Sequence, residues 1–248
     1  MSREGTWEAR FAQAKSRVDA YLSSFGGRLL EGRVVIDETL DEHTMATHYY
    51  PDVVAIKKPD VPESVIAHEW VHVVQQTLES FRGFRLLHVL LAEGLAEFVT
   101  KELYPDHSVK YPSGYELAAA LVTAHPDVIR DLLRLNELTL VPEDIDMILA
   151  NDHVPLYSKD LLGRMADHIR YGIRAANRAG IDDPTFVTLG EEVRAWKFLL
   201  DERFDGVREK VNHATETWFE EWLSHEKKAY PEASTGYDRR TRASAKAD

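Results

Sequence analysis

With 248 residues and 44% apolar side chains, the chain is long enough to bury a substantial core, as one large domain or two small ones. Its formal charge of −12 argues against nucleic acid and anionic membrane as partners, since both would repel it overall. Cysteine is absent, which excludes disulfides and thiolate ligands, so any metal must be held by histidine and carboxylate.

Residues 1–6 lack the apolar stretch of a secretory signal peptide, and no run approaches the roughly 18 apolar residues of a membrane span; a cytoplasmic protein is expected. Trp7 to Phe25 carries helical periodicity through Phe11, Val18, Tyr21 and Leu22 and stops at Gly26-Gly27, which predicts a packing helix. Arg33 to Asp37 and Val53 to Lys57 are short β-branched runs joined by the polar segment Glu38 to Pro51, and they are predicted to pair as a small antiparallel hairpin. His43, His48, Tyr49 and Tyr50 fall in that connection; the two histidines lack the spacing of a helical pair and read as loop side chains rather than ligands.

Asp60 to Ser80 follows as a helix, with Pro62 near its first turn, Glu63 in that turn, and no further Gly or Pro until Gly83. Within it stands His68-Glu69-Trp70-Val71-His72. Two imidazoles four residues apart project from one helix face and can hold a single zinc ion, and the adjacent Glu69 is placed to take a proton from the attacking water. A catalytic zinc site needs a third protein ligand. Glu93 is the candidate, in the helical stretch Leu90-Leu91-Ala92-Glu93-Gly94-Leu95-Ala96-Glu97-Phe98. Gly94 and Ala96 are expected to let this helix approach the first closely, while Leu86, Leu90 and Phe98 supply apolar surface. Glu97, one turn after Glu93, could accept the outer N–H of a ligand histidine and fix its tautomer. His88 lies about 140° around the helix from Glu93 and reads as structural.

The pattern His68-Glu69-x-x-His72 followed by Glu93-Gly94-x-Ala96-Glu97 resembles the zincin metallopeptidases of the gluzincin kind, specifically putative Zn-dependent proteases in which a strand, an HExxH helix and an EGxAE helix follow one another. The resemblance covers roughly residues 53–104. It implies His68, His72 and Glu93 as Zn2+ ligands, Glu69 as general base and Glu97 as a partner behind the ligands. In zincins an exposed strand beside the metal helix grips an extended peptide, and Val53 to Lys57 is the candidate for that edge here.

Beyond Tyr104, Pro105, Pro112 and Gly114 mark a loop, and helices are predicted at Tyr115 to Ala124, Asp127 to Glu137, Pro142 to Ala150, Asp160 to Ala179, Glu191 to Leu200 and Val207 to His225. Trp196, Phe198, Trp218, Phe219 and Trp222 read as core anchors. His168 and Tyr171 share a face of the Asp160 to Ala179 helix, so either could donate to the oxyanion if that helix lines the cleft. Residues 231–248, rich in Ser, Thr, Ala and Arg, are predicted to be a disordered tail behind a single domain over 1–230.

The expected architecture is therefore mainly α with a small antiparallel β-hairpin, an α+β domain with a zincin-like core. The expected function is a zinc-dependent hydrolase, most simply a metallopeptidase acting on a peptide or protein, with no nucleic acid or membrane partner. A helical binding or regulatory protein that keeps zinc without turnover, and a zinc amidohydrolase acting on a non-peptide substrate, remain open. Oligomeric state is not readable from the sequence.

Overall fold

The computed structural model describes residues 6–49, 51–75, 87–179 and 184–229; the predicted tail and the continuation of the HExxH helix to Ser80 lie outside them. The protein is mainly helical with one small mixed sheet. Helix α1, Trp7–Ser23, begins where the Thr6 hydroxyl accepts a hydrogen bond from the Ala9 amide at 3.3 Å, and it buries Phe11, Ala14, Val18 and Leu22 at the spacing of one helix face. It ends before Gly26, whose φ of 79° is the left-handed conformation that glycine adopts without a Cβ clash.

The sheet differs from the predicted hairpin. Strand β1 is Arg33–Ile36, β2 is Ala46–Tyr49 and β3 is Val53–Ile56, in the spatial order β1-β3-β2. β1 and β3 pair in parallel, Arg33 opposite Val53, while β2 and β3 pair antiparallel, Ala46 opposite Ile56. The hairpin exists, but its first arm comes from the segment read as a polar connection. Because β2 turns straight back into β3, β1 must lie on the far side, and β3 becomes the central strand with Val54, Ala55 and Ile56 fully buried. Val53 to Lys57 is thus not an exposed edge; β1 and β2 are the edges.

Helix α2, Glu63–Gln75, is buried on nearly every side because it packs against α1, the sheet and α3, Leu87–Leu103. Its orientation about its own axis is set by Trp70, two residues from His68 and therefore on the opposite face. The indole is fully buried, meets Phe11 edge to face at 5.5 Å between centroids and donates to Asp19 at 2.8 Å. Gly32 passes so close that a Cβ there would sit 2.2 Å from the Trp70 ring. Helices α2 and α3 run antiparallel and are tied at both ends, by the Tyr104 hydroxyl donating to Glu63 at 2.5 Å and by the Gln75 amide donating to the Ala92 carbonyl at 3.2 Å.

The remaining helices form the other half: α4, Pro112–Ala124; α5, Val128–Leu133; α6, Glu143–Ala150; α7, Leu156–Ala179; α8, Pro184–Leu199; and α9, Arg208–Ala229. Short 3-10 turns at Leu135–Glu137 and Glu202–Val207 join them. The close helix approach expected of Gly94 is made toward α4 rather than α2. A Cβ on Gly94 would meet the Gly114 carbonyl oxygen at 2.4 Å, so α3 and α4 cross backbone to backbone. Trp196, Phe198 and Trp218 are buried anchors as expected; the side chains of Phe219 and Trp222 lie outside the described ones. No helix among the described residues is long and apolar enough to cross a membrane.

Candidate metal centre

The antiparallel pairing of α2 and α3 brings three donor atoms to one point. His68 Nε2 and His72 Nε2 are 3.2 Å apart, and Glu93 Oε2 lies 3.3 Å from the first and 3.5 Å from the second. The two rings meet nearly at right angles, as separate ligands on one helix face do. Donors arranged tetrahedrally about an ion at about 2.0–2.1 Å stand roughly 3.3–3.4 Å from one another, so these residues fit a zinc ion. Three electron-pair donors facing each other at such distances need a cation or a proton between them.

His72 is held in the tautomer that a ligand requires. The Gln75 side-chain amide donates to Ala92, which leaves Gln75 Oε1 as acceptor for the His72 Nδ1–H at 3.0 Å and turns the Nε2 lone pair toward Glu93. In the metal-free protein a proton occupies that position. Burial works against a charged His72, yet Glu93, Glu69 and the Gln75 hydrogen bond together more than offset it and the ring is pushed up to about 9. Burial likewise works to raise Glu93, but His72 and His68 hold it well below the usual carboxylate range.

Glu69 lies beside this triad, its side chain almost buried. Burial would raise its affinity for protons, but the His48 hydrogen bond and the charges of His68, His72 and His48 together outweigh burial and lower it, so Glu69 is anionic at neutral pH as a base must be. His48 Nδ1 is 3.5 Å from Glu69 Oε2, and the His48 ring stacks on His72 at 5.0 Å. His48 was expected to be a loop side chain rather than part of a site. Its place on β2, which lies in the segment expected to be a polar connection, delivers it to the site, while His43 stays exposed beside Glu42.

Glu97 is fully buried, one turn along α3 from Glu93. Its hydrogen bonds differ from the expectation: Oε2 pairs with His107 Nε2 at 3.0 Å and Oε1 accepts the Lys110 amide at 2.9 Å. Burial acts to raise this carboxyl, and His107 and His68 more than offset it, holding Glu97 below its ordinary range. The His68 Nδ1 atom has no hydrogen-bond partner, although it is buried. The same loop places Lys110 near the centre. Burial disfavours its charge, but Tyr111, Glu93 and Glu69 raise its hold on the proton. His107 and Lys110 were not legible in the sequence; the turn after α3 that returns them toward α2 is fixed by the His107 amide on the Tyr104 carbonyl and Lys101 Nζ on the His107 carbonyl, both 2.8 Å.

The reading of His168 and Tyr171 as oxyanion donors is corrected. α7 packs on α6 and α8 through Leu162, Ala166, Ile169 and Ile173, and the face bearing His168 and Tyr171 points to solvent, with Tyr171 70% exposed. His88, read as structural, is seated between the buried carboxylates of Glu191 and Glu192 at 3.2 and 3.6 Å. Glu192 also accepts the His88 backbone amide at the start of α3 and the Trp196 indole N–H. No family profile, curated protein or solved structure matches this chain.

Proposed function

We propose that the protein is a zinc-dependent hydrolase of zincin-like design, acting on peptide bonds. The observation that carries this reading is the convergence of His68 Nε2, His72 Nε2 and Glu93 Oε2 at mutual distances of 3.2, 3.3 and 3.5 Å, with an anionic Glu69 on the residue next to the first ligand. These three side chains would hold the ion and leave a coordination position open. Zinc there supplies Lewis acidity, polarising a scissile carbonyl and lowering the pKa of a water to about 7.

The chain's own residues do the rest. Glu69 takes the proton of the attacking water and delivers it to the leaving amine, and His48 steadies the Glu69 carboxylate while that proton is absent. Lys110 is the cation whose charge already interacts with Glu93 and Glu69, which makes it the candidate to face the negative charge developing on the carbonyl oxygen. The edge strand β2 carries His48 and pairs only with β3 among the described residues, so an extended peptide added along its outer side would run beside Glu69.

The test uses zinc loading and cleavage together. Wild-type protein should bind zinc and cleave an unbiased peptide mixture, read by mass spectrometry; His72→Ala and Glu93→Ala should lose tight zinc binding, and Glu69→Gln should keep zinc and lose cleavage. Full zinc retention by Glu93→Ala would remove it from the ligand set. A zinc-loaded wild type that cleaves no peptide would overturn the peptidase reading in favour of a metal-binding scaffold or an enzyme for non-peptide amides.

A further inference from the structure

Behind the proposed centre lies a second set of donors. His68, Glu97 and His107 each offer one ligand atom, and these atoms all lie within 4.8 Å of one another. Glu97 is fully buried, the His107 side chain is 9% exposed, and the two are already 3.0 Å apart. His68 is itself 9% exposed, and its Nδ1 is a buried nitrogen without a hydrogen-bond partner. A buried polar atom left unpaired is costly, so its environment calls for an explanation. A hydrogen bond from Nδ1 to Glu97 would be the ordinary one, and it is not made.

We propose that His68, Glu97 and His107 form a second, weaker site for a divalent ion of the zinc class, joined to the first through the two nitrogens of His68. Nε2 already belongs to the His72 and Glu93 set, which leaves Nδ1 as the donor that His68 can turn to the second. Two imidazoles and a carboxylate suit zinc and its borderline neighbours, whereas magnesium and calcium want oxygen shells. The three residues already offer ligand atoms within 4.8 Å of one another, so the set must close further to reach the roughly 3.3 Å of tetrahedral donors. When both sites fill, the Nδ1–H bond of His68 breaks, its proton leaves to solvent, and a nitrogen–metal bond forms in its place, so the ring bridges the ions as imidazolate. Three carboxylates, Glu69, Glu93 and Glu97, surround the ring and balance the added charge. The second site is weaker because it must close its donors and release that proton.

The site shares His68 with the centre proposed above, and its test requires no substrate. Metal-free full-length protein is titrated with Zn2+ against a chromophoric chelator, and with Co2+ followed by visible absorption. Wild type should take up about two equivalents in separable steps. His107→Gln keeps a side-chain amide able to donate to Glu97 but removes the imidazole ligand, so it should retain the tight step unchanged and lose the weak one. His72→Ala should lose the tight step and retain a single weak one. Saturation of wild type at one equivalent overturns the proposal, whether His107→Gln leaves that step unchanged or weakens it about 10–100-fold as a hydrogen-bonding support would. A weak step that persists in His107→Gln also overturns it. If binding is lost in His107→Gln but not in His72→Ala or Glu93→Ala, the second site stands and the first falls; no binding at all removes both.

Discussion

If His72 is a zinc ligand as proposed, a proton and the metal ion would compete for the same place on it, and that competition would set how the protein responds to pH. In the metal-free state the ring is pushed up to about 9 from its ordinary 6.5, because the charge and hydrogen bond of Glu93, with help from Glu69 and Gln75, together outweigh burial. A basic group whose folded value is raised contributes stability that is fully present below the unfolded value and is lost as pH rises through the folded one. Glu93, held below its ordinary 4.5, contributes stability that is present above that value and is lost on acidification. Metal-free protein should therefore have its highest melting temperature between about pH 4.5 and 6.5 and decline toward pH 9. Zinc needs the neutral ring, so its affinity should rise over the same alkaline interval. Melting curves across pH with chelator or with zinc would check both signs; a metal-free midpoint that climbs from pH 6.5 to 9 would show that His72 is not paired with Glu93 as described.

At the scale of elements, the position of Glu93 depends on how α3 is seated, and the tightest constraint on that seat is the Gly94–Gly114 crossing. Alanine has better helix propensity than glycine by up to about 1 kcal/mol, which alone would make Gly94→Ala stabilising. The added Cβ would, however, stand 2.4 Å from the Gly114 carbonyl oxygen, a backbone atom that can move only by shifting α4. Overpacking of this kind costs about 1–3 kcal/mol and should win, and the displaced α3 should weaken zinc binding as well. A Cβ on Gly114 meets the Gly94 Cα at 3.2 Å, and one on Gly206 meets nothing within 4 Å. Urea unfolding should thus rank the destabilisation Gly94→Ala above Gly114→Ala above Gly206→Ala; equal midpoints for the three would mean that the crossing is looser than described.

The same scale explains what could be read from the chain and what could not. His68 and His72 were legible as a pair because helical periodicity is local, and four-residue spacing fixes a shared face without knowledge of the neighbours; Glu69 came with them as the next residue, whereas Glu93, on a separate helix, was reached only through the need for a third ligand and the resemblance to an HExxH–EGxAE pattern. His48 and His107 were not. The first depends on a four-residue strand hidden in a polar segment and on β3 being central; the second depends on a turn that reverses the chain after α3. Helical spacing also misled for His168 and Tyr171, since a shared face says nothing about which side of α7 meets the protein. The apolar set Leu162, Ala166, Ile169 and Ile173 decides that, and it faces the other way. Gly94 was recognised as a site of close approach, but the partner helix was a tertiary fact.

For the molecule as a whole, the proposed centre is a tie between halves. His68 and His72 sit on α2, which packs on α1 and the sheet, and Glu93 sits on α3, which packs on α4 and α8, so global unfolding separates the ligands. An ion bound only by the folded state stabilises it by about 2.7 kcal/mol when present at 100 times its dissociation constant. For a chain of this size each kcal/mol moves the melting temperature by about 2–4 °C, which gives an expected rise of about 5–11 °C on zinc loading. Glu69→Gln should show the same rise, because it removes no ligand. His72→Ala should lose most of it. The net charge of −12 offers a competing source of cation effects, namely screening by ions gathered at surface carboxylates. That source has no need of imidazole, so magnesium at the same concentration would reproduce the rise and the His72→Ala variant would keep it. Calorimetry of wild type and the two variants in zinc and in magnesium separates the cases, and a rise shared by both metals and all variants would remove the centre from the account of stability.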